Sequence, residues 1–293
     1  MPTNQYYLQS FEIIEVTGED RQIFLKSQFS NDISALEFNE ACYATYNNHR
    51  GRAIANFIVC NTGGNVLILV KRDLIPILIQ KLNLYKLRSK VNILHRNNNS
   101  YQITGHFDKT LIQSVPFPLK FSIESSNESI TIPCPNGSQF IVYVKPKTQV
   151  GEIILNENDW NSFEITQGFS WITQSTSEKC VAQMFNQEWL GAVNFKKGCY
   201  PGQEIIARSQ YRGQVKRRPA LLFSSSDEYL IGDILYQQEQ EVGLILNKAQ
   251  IGQQSIYLAV IKIDSEPLFY GNKKNNLNPL ELKQLFYYQE TVE

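Results

Sequence analysis

The sequence has few features of a secreted, membrane-spanning or metal-binding protein. Its five cysteines are an odd number and include no Cys-x-x-Cys pair, which argues against a disulfide scaffold and against a thiolate metal site. The three histidines form no helical i, i+4 pair, so no metal site is predicted. No apolar run approaches the roughly 20 residues of a membrane helix, and the first residues do not resemble a secretory signal. We therefore expect a cytoplasmic protein without membrane contact.

The sequence also lacks an excess of either charge, because 28 Lys and Arg residues balance 28 Asp and Glu residues. This balance excludes a globally basic nucleic-acid binder, so any site for an anion must come from local clustering. A hydrophobic content of 42% excludes an intrinsically disordered chain. With 293 residues, the chain is long enough for one large domain or for two to three smaller modules.

The pattern of apolar residues predicts a mixed α and β protein. Strands are expected over 41–46 and 53–60, where a short turn containing Gly51 would join them as a hairpin. A further apolar strand is expected over 66–70. Asp73 is expected to cap the helix that follows, since apolar residues then recur at helical spacing.

The second half of the chain changes character twice. A helix is predicted over 156–168, ending at a glycine, and the stretch 169–200 has no clear periodicity. Beyond it, short strands alternate with polar turns, as in a small β-barrel. We therefore predict a boundary near Arg218, between an α+β region with a further break near 96–150 and a C-terminal barrel. The predicted domains are 1–218 and 219–293.

Residues 196–218 carry the clearest functional signal. They read KKGCYPGQEIIARSQYRGQVKRR and contain seven Lys or Arg residues against one acid, Glu204. Gly198 and Gly202 allow sharp turns on either side of Cys199. A helix that begins at Gln203 would place Glu204, Arg208 and Arg212 on one face.

Residue types alone leave two interpretations of this segment open. In the first, the segment is a structural turn with a solvated basic face, and Cys199 is a small buried residue. In the second, a thiol near a helix N-terminus and beside lysines has a lowered pKa and reacts as a thiolate, while the basic run holds a phosphate- or glutamate-rich anion. Nucleophile, redox thiol and structural cysteine all remain open.

The same segment resembles the signature K-G-C-Y-x-G-Q-E of the YgfZ family, folate-binding proteins related to the T-protein of the glycine cleavage system. The matching positions are Lys197, Gly198, Cys199, Tyr200, Gly202, Gln203 and Glu204, followed by Arg208. Segments 16–20 and 28–34 are also similar, and the resemblance covers about residues 10–265. It implies the α+β architecture of the T-protein, with mixed modules around a central opening and a C-terminal β-barrel. It also implies tetrahydrofolate or a one-carbon derivative as ligand, and roles in tRNA modification and iron–sulfur enzyme maintenance.

The resemblance further implies roles for single residues. A family aromatic residue before the glycine is matched by Trp160, whose indole would stack on the flat pterin; core packing is the alternative. A second family tryptophan is replaced by Phe11, to which we assign no folate contact. In the T-protein, adjacent aspartates serve aminomethyl transfer, but Ala55 and Asn56 stand at those positions here. Neither side chain accepts a proton as aspartate does, so the T-protein reaction is not expected.

Lys and Arg residues also cluster over 71–96. We interpret them as the solvated face of an amphipathic helix, and a surface for tRNA or an acidic partner is the alternative.

The leading hypothesis is a tetrahydrofolate-binding accessory protein that supports iron–sulfur cluster assembly or repair, and through it tRNA modification. Cys199 is then the catalytic candidate, with Lys197 keeping its thiol ionised. The expected partners are a folate and iron–sulfur enzymes or their assembly factors, with tRNA contacted indirectly. The alternatives are a folate-dependent one-carbon transferase or demethylase, and a non-catalytic module that docks RNA or protein. Whether the chain is an enzyme is left open.

Overall fold

The computed structural model describes residues 5–97, 100–108, 116–144, 154–213, 215–271 and 278–286. In these ranges the chain forms four α-helices and three six-stranded sheets. The helices are α1 (Arg21–Gln28), α2 (Ile75–Lys86), α3 (Glu157–Thr166) and α4 (Gln203–Tyr211). The strands are β1 (Gln5–Tyr7), β2 (Phe11–Thr17), β3 (Glu40–Asn47), β4 (Ala53–Asn61), β5 (Val66–Lys71), β6 (Asn92–Arg96), β7 (Gln102–Phe107), β8 (Phe121–Ser122), β9 (Glu124–Ser125), β10 (Ser129–Pro133), β11 (Ser138–Tyr143), β12 (Ile154–Leu155), β13 (Arg217–Ser224), β14 (Ile234–Gln237), β15 (Gln240–Ile251), β16 (Gln254–Lys262), β17 (Leu268–Phe269) and β18 (Leu280–Leu285).

The first sheet is antiparallel and has the order β6-β2-β5-β4-β3-β8. Its central strands β4 and β5 are buried along their whole length, because both faces of the sheet are covered. Ile68 points into one hydrophobic core, and its neighbours Leu67 and Leu69 point into another. This two-sided burial explains why these strands are continuous apolar runs. The predicted hairpin is confirmed, with Gly51 in its turn at φ +72°.

The second sheet has the order β12-β1-β7-β11-β10-β9. Its strands are antiparallel except for the parallel pair β1 and β12. Helix α3 packs against this sheet through Trp160, whose ring lies 4.9 Å from that of Phe140.

The third sheet has the order β14-β15-β16-β13-β18-β17 and curls into a barrel. Tyr236 in β14 and Tyr270, just after β17, exchange two backbone hydrogen bonds of 2.8 and 3.1 Å. These bonds join the two edge strands, so the edges that an open sheet would expose are paired here. Strand β13 begins at Arg217, beside the boundary predicted near Arg218. The division into 1–218 and 219–293 stays a prediction.

The cap predicted at Asp73 is wrong. Leu74 occupies the N-cap position of α2, after a 3-10 turn over Arg72–Leu74. The Asp73 carboxylate instead accepts a 2.8 Å hydrogen bond from the backbone N–H of Gln174, and so ties the sheet to the long connection.

The predicted helix over 156–168 is confirmed as α3. The side chain of Asn156 accepts a hydrogen bond from the N–H of Asn158 at the helix start, and Gly168 follows the end at φ +73°. All of the connection 169–200 is described, and its one regular element is a 3-10 turn over Ala182–Phe185. None of the helices in the described ranges has the length and hydrophobicity needed to cross a bilayer.

Candidate functional site

A cavity of about 560 Å³ lies where α3 and the end of β5 face the barrel. We call it the central cavity. Its polar lining includes Ser10, Lys71, Glu157, Asn161, Glu164 and Asn247. Its apolar lining includes Ile165, Phe169, Trp171 and Ile231. An apolar cleft with a few convergent polar groups is the usual form of a small-molecule site.

Glu164 is the most unusual residue of this lining. It is 2% exposed, and its Oε2 accepts a 2.8 Å hydrogen bond from the indole N–H of Trp171. Its other oxygen, Oε1, has no hydrogen-bond partner of normal geometry in the described part of the chain. Burial raises the pKa of Glu164 to about 8, against the opposing effects of the Lys71 ammonium and the indole N–H groups of Trp171 and Trp160. The cavity wall therefore contains a buried carboxyl group that the indole N–H of Trp171 holds in place.

Lys71 supplies the cationic part of the cavity wall. Its ammonium donates to the hydroxyl of Ser10 at 2.6 Å and lies 3.8 Å from the centre of the Phe11 ring. The Ser10 hydroxyl donates in turn to Glu157. Burial lowers the pKa of Lys71, while Glu157 and Glu164 favour its charged form. The pattern over 71–96 predicts that Lys71 lies on a solvated helix face. The structure instead places Lys71 in the cavity wall, where it is buried.

The remaining cations of that segment follow the sequence prediction more closely. Lys86 and Arg88 have no ion pair among the described residues. Arg72, Lys81, Lys90 and Arg96 are all partly or largely exposed, and each of these four faces a carboxylate. Their positive charge is therefore largely neutralised within the chain.

Trp171 is held in place by the barrel. Its backbone N–H donates to the side chain of Asn247 at 3.1 Å, and the Asn247 amide donates back to the Trp171 carbonyl at 3.0 Å. Because β15 supplies Asn247 while α3 supplies Glu164, the cavity wall depends on both regions of the chain.

Trp160 lies behind this wall, not in it. The side chain is 0% exposed and packs among Tyr6, Phe107 and Phe140. In this conformation no face of the indole is open to a ligand, so pterin stacking on Trp160 stays a prediction. Phe11 is equally buried and lies edge-on to Trp171 at 5.0 Å.

Asn56, which replaces an expected aspartate, has a structural role. Its side-chain amide donates to the carbonyl of Ser170 at 2.7 Å and accepts from the N–H of Ile172 at 2.7 Å. Asn56 is 2% exposed and Ala55 is 0% exposed. The two hydrogen bonds of Asn56 therefore anchor the connection 169–200 to β4.

The signature loop is anchored by Lys197. Its ammonium donates to the backbone carbonyl of Phe29 at 2.6 Å and to that of Lys26, both at the C-terminal end of α1. It also lies 4.7 Å from the ring centre of Tyr200. Burial lowers the pKa of Lys197 to about 8. A cation at a helix C-terminus is stabilising, so Lys197 fixes the loop, and its effect on the Cys199 thiol stays a prediction.

Helix α4 begins at Gln203, as predicted, and Gly202 precedes it at φ +77°. A Cβ atom on Gly202 would lie 2.5 Å from the carbonyl oxygen of Asn48, so only glycine fits against the β3–β4 hairpin. Ile206 is buried beneath the helix, and its carbonyl accepts a 2.6 Å hydrogen bond from Gln183.

The outer positions of the signature face solvent. Gly198, Cys199, Glu204 and Arg208 are exposed, whereas Lys197 and Tyr200 are buried. Gln203 donates weakly to the Lys197 carbonyl at 3.5 Å. The four other cysteines are buried, so Cys199 is the exposed thiol of the chain.

The structure does not bring the signature and the central cavity together. The described residues that line the cavity include none from 196–212. The sequence interpretation missed Glu164, although it lies one helical turn after Trp160 and both side chains face inward. It also missed Lys71 and Asn247, because only the folded chain shows what lies opposite them.

Comparisons with known proteins agree with the resemblance seen in the signature. No family model matches the chain. The tRNA-modifying protein YgfZ of Buchnera aphidicola subsp. Schizaphis graminum is 28% identical over 255 residues, which cover 82% of this chain and 80% of the relative. That of Photorhabdus laumondii is 24% identical over 284 residues, covering 89% and 84%. That of Colwellia psychrerythraea is 25% identical over 244 residues, covering 79% and 75%.

A solved structure supports the fold independently. The glycine cleavage system aminomethyltransferase T from Bartonella henselae matches with a TM-score of 0.70 at 10% identity, over 96% of this chain and 85% of that one. The predicted α+β architecture with a C-terminal barrel is confirmed by this match and by the three sheets. The chain is thus similar to the YgfZ proteins over most of its length and has the fold of the aminomethyltransferase T-protein.

Proposed function

We propose that the chain binds a reduced folate in the central cavity and acts as an accessory protein in tRNA modification. The observation that carries the folate part is the buried carboxyl of Glu164 in the wall of the cavity, with Trp171 beside it. The names of the curated relatives support the tRNA part. A role in tRNA modification would place the protein in the cytoplasm.

The chemistry of a pterin suits this wall. Its ring presents an amide N–H and an amino group side by side, which a carboxylate accepts well. Trp171 and Phe169 give the cavity an aromatic lining, and about 560 Å³ is within the usual range for a small-molecule site. A bound folate would supply one-carbon chemistry, whereas the residues shown here bind and orient it.

Anaerobic calorimetry with tetrahydrofolate tests the folate part on wild type and on Glu164→Gln. The amide keeps the shape and the acceptor for Trp171, but removes the negative charge. We expect binding at least tenfold weaker, or about 1.4 kcal/mol. Glu204→Gln is the matched control, because Glu204 is exposed on α4 and outside the cavity. Equal affinity for all three proteins would contradict the site.

Cys199 belongs to a separate step in this proposal. Its exposed thiol lies outside the cavity lining, so a partner could reach it while folate stays bound. We assign it to contact with an iron–sulfur enzyme or assembly factor. Cys199→Ala should therefore bind tetrahydrofolate normally but fail to restore the activity of an iron–sulfur tRNA-modifying enzyme in cells that lack the wild-type chain. If Cys199→Ala restored the activity of that enzyme normally, the Cys199 thiol would have no role in this step.

One observation favours a second candidate, a folate-dependent one-carbon transferase or demethylase. Glu164, with a pKa of about 8, could take up and release a proton near neutral pH beside the Lys71 ammonium, without the missing aspartates. Turnover of a folate adduct that depends on a methylated or aminomethylated substrate would support the enzyme. Binding without turnover would support the accessory role.

A further inference from the structure

A cluster of six cations lies on the β3–β4 hairpin, on helix α4 and on the segments beside them, although the chain has no net charge. We call this cluster the basic surface. Its members are Arg50, Arg52, Lys179, Arg208, Arg212 and Arg217. All of them are exposed except Arg217, which is half-buried.

The β3–β4 hairpin meets helix α4 at the centre of this surface. A Cβ atom on Gly202 would lie 2.6 Å from the Cα of Gly51, so the two backbones are in direct contact. The side chain of Ile205 packs against the same glycine of the hairpin. Arg50 and Arg52 flank that contact on the hairpin, while Arg208 lies one turn farther along the helix.

The connection 169–200 brings the remaining cations to the same place. The Arg52 guanidinium donates to the backbone carbonyls of Glu178 and Lys179, both at 3.3 Å. Buried Cys180 experiences the positive charges of both Arg217 and Arg52, which oppose the effect of burial on its pKa. The guanidinium groups of β13 and of the hairpin therefore lie near one another.

Among the described residues, the cations of the basic surface have no carboxylate partners, as is also true of Lys86 and Arg88 at the end of α2. Within the described ranges, none of the six takes part in an ion pair. Elsewhere the exposed or half-exposed cations Lys26, Arg72, Lys90, Arg96 and Lys120 each have one. The charge of the basic surface is therefore available to an external anion.

The edge of the surface adds an aromatic platform. Tyr211, the last residue of α4, is 70% exposed and is held edge-on by Phe195 with ring centres 5.9 Å apart. An exposed ring beside arginines suits stacking with an unpaired base. Arginine also outnumbers lysine here, and its planar fork matches a phosphate.

We propose that the basic surface binds the phosphate backbone of tRNA directly, with Tyr211 stacking on an unpaired base and Cys199 exposed beside the bound strand. The choice of RNA rests on the proposed role in tRNA modification. Binding of tRNA to the basic surface does not depend on the proposed folate site. Direct contact differs from the expectation that tRNA is contacted only indirectly, and that expectation stays a prediction.

Fluorescence anisotropy with an in vitro tRNA transcript and the full chain, over a series of salt concentrations, tests the proposal. We expect Arg208→Glu/Arg212→Glu to bind at least tenfold more weakly near 0.1 M salt. The slope of log K against log salt should fall by about 1.4 to 1.8, since each lost phosphate contact contributes about 0.7 to 0.9. Tyr211→Ala should lose about tenfold with an unchanged slope, because stacking is not ionic.

The matched control is Lys86→Glu/Arg88→Glu, which makes the same change of charge at the end of α2. It should retain the wild-type affinity and slope. Absence of tRNA binding by wild type, an equal loss in the control, or tighter binding of poly-glutamate than of tRNA would each overturn the proposal. Calorimetry with tetrahydrofolate on the same variants separates the two sites, because the charge reversals should leave folate binding unchanged.

Discussion

At the scale of single residues, the most informative feature is a carboxyl group kept out of water. Burial destabilises the charged form of Glu164, while Lys71 and the indole N–H of Trp171 stabilise it. The balance leaves its pKa near neutral pH, where an approaching ligand can change its protonation state. A pterin that donates two hydrogen bonds would favour the carboxylate.

Folate affinity should therefore rise with pH. The free protein holds Glu164 largely protonated below its pKa of about 8, so ligand binding must then remove a proton. Below this pKa, the affinity for tetrahydrofolate should increase by up to tenfold per pH unit. Above it the affinity should level off, so a range from about pH 6.5 to 8.5 shows both behaviours. Calorimetry across this range measures the change. In Glu164→Gln the increase should disappear, and a wild-type affinity independent of pH would contradict the role of the carboxyl.

Restoring an aspartate at position 56 should harm the protein without creating a transferase. The Asn56 amide donates to the Ser170 carbonyl, and an aspartate would place a buried carboxylate against that oxygen. We expect Asn56→Asp to lower the free energy of unfolding by about 2–4 kcal/mol in denaturant titrations. Asn156→Asp is the control, because the exposed Asn156 side chain accepts a bond at a helix start, which aspartate also does. Equal stability of the two variants would contradict the structural role of Asn56.

The sequence predicts some residues of the site better than others. The signature identifies Cys199 and its neighbours, because seven specified positions within eight residues are rare by chance. It does not reveal that Lys197 is directed at carbonyl groups of α1, 168 or more residues earlier in the chain. Glu164 has no motif of its own, and its burial opposite Lys71 follows only from the meeting of α3 with β5.

At the scale of elements, the packing of the β3–β4 hairpin on α4 sets the shape of the signature region. Gly51 and Gly202 both have positive φ angles and touch through their backbones. This contact explains why the turn before α4 requires glycine at 202, whereas Gly198 has open space around it.

These two glycines should respond differently to alanine. A methyl group on Gly202 would collide with Asn48 and Gly51 in an already unfavourable backbone conformation, so Gly202→Ala should cost about 2–4 kcal/mol of unfolding free energy. Gly198→Ala should change stability by less than about 1 kcal/mol, because nothing lies within 4 Å of the added atom. Chemical denaturation measures both. A larger loss for Gly198→Ala would contradict the packing described.

Element prediction from the sequence succeeds where the signal is local. The hairpin around Gly51 and helix α3 follow from turn residues and apolar spacing, and both are confirmed. Asp73 illustrates the limit. Its carboxylate accepts a hydrogen bond from the backbone N–H of Gln174, about one hundred residues later, and does not cap the adjacent helix. A local pattern contains no information about such a partner.

At the scale of the whole molecule, the central cavity exists because two sheets and a barrel meet. Glu164 comes from α3, Lys71 from β5 and Asn247 from the barrel strand β15. The sequence predicts the three regions and their architecture through its resemblance to a known family, but not the cavity between them. The basic surface lies apart from this cavity lining, so the folded chain offers separate places for a small ligand and for a polyanion.

The most direct test of the folate site is a crystal structure of the chain with tetrahydrofolate bound. We expect the pterin in the central cavity, with ring N–H groups about 2.6–3.2 Å from the Glu164 carboxylate and with the ligand beside Trp171. Cys199 should remain outside contact distance. A folate found against the signature loop or inserted at Trp160, with the Glu164 carboxyl untouched, would contradict the account.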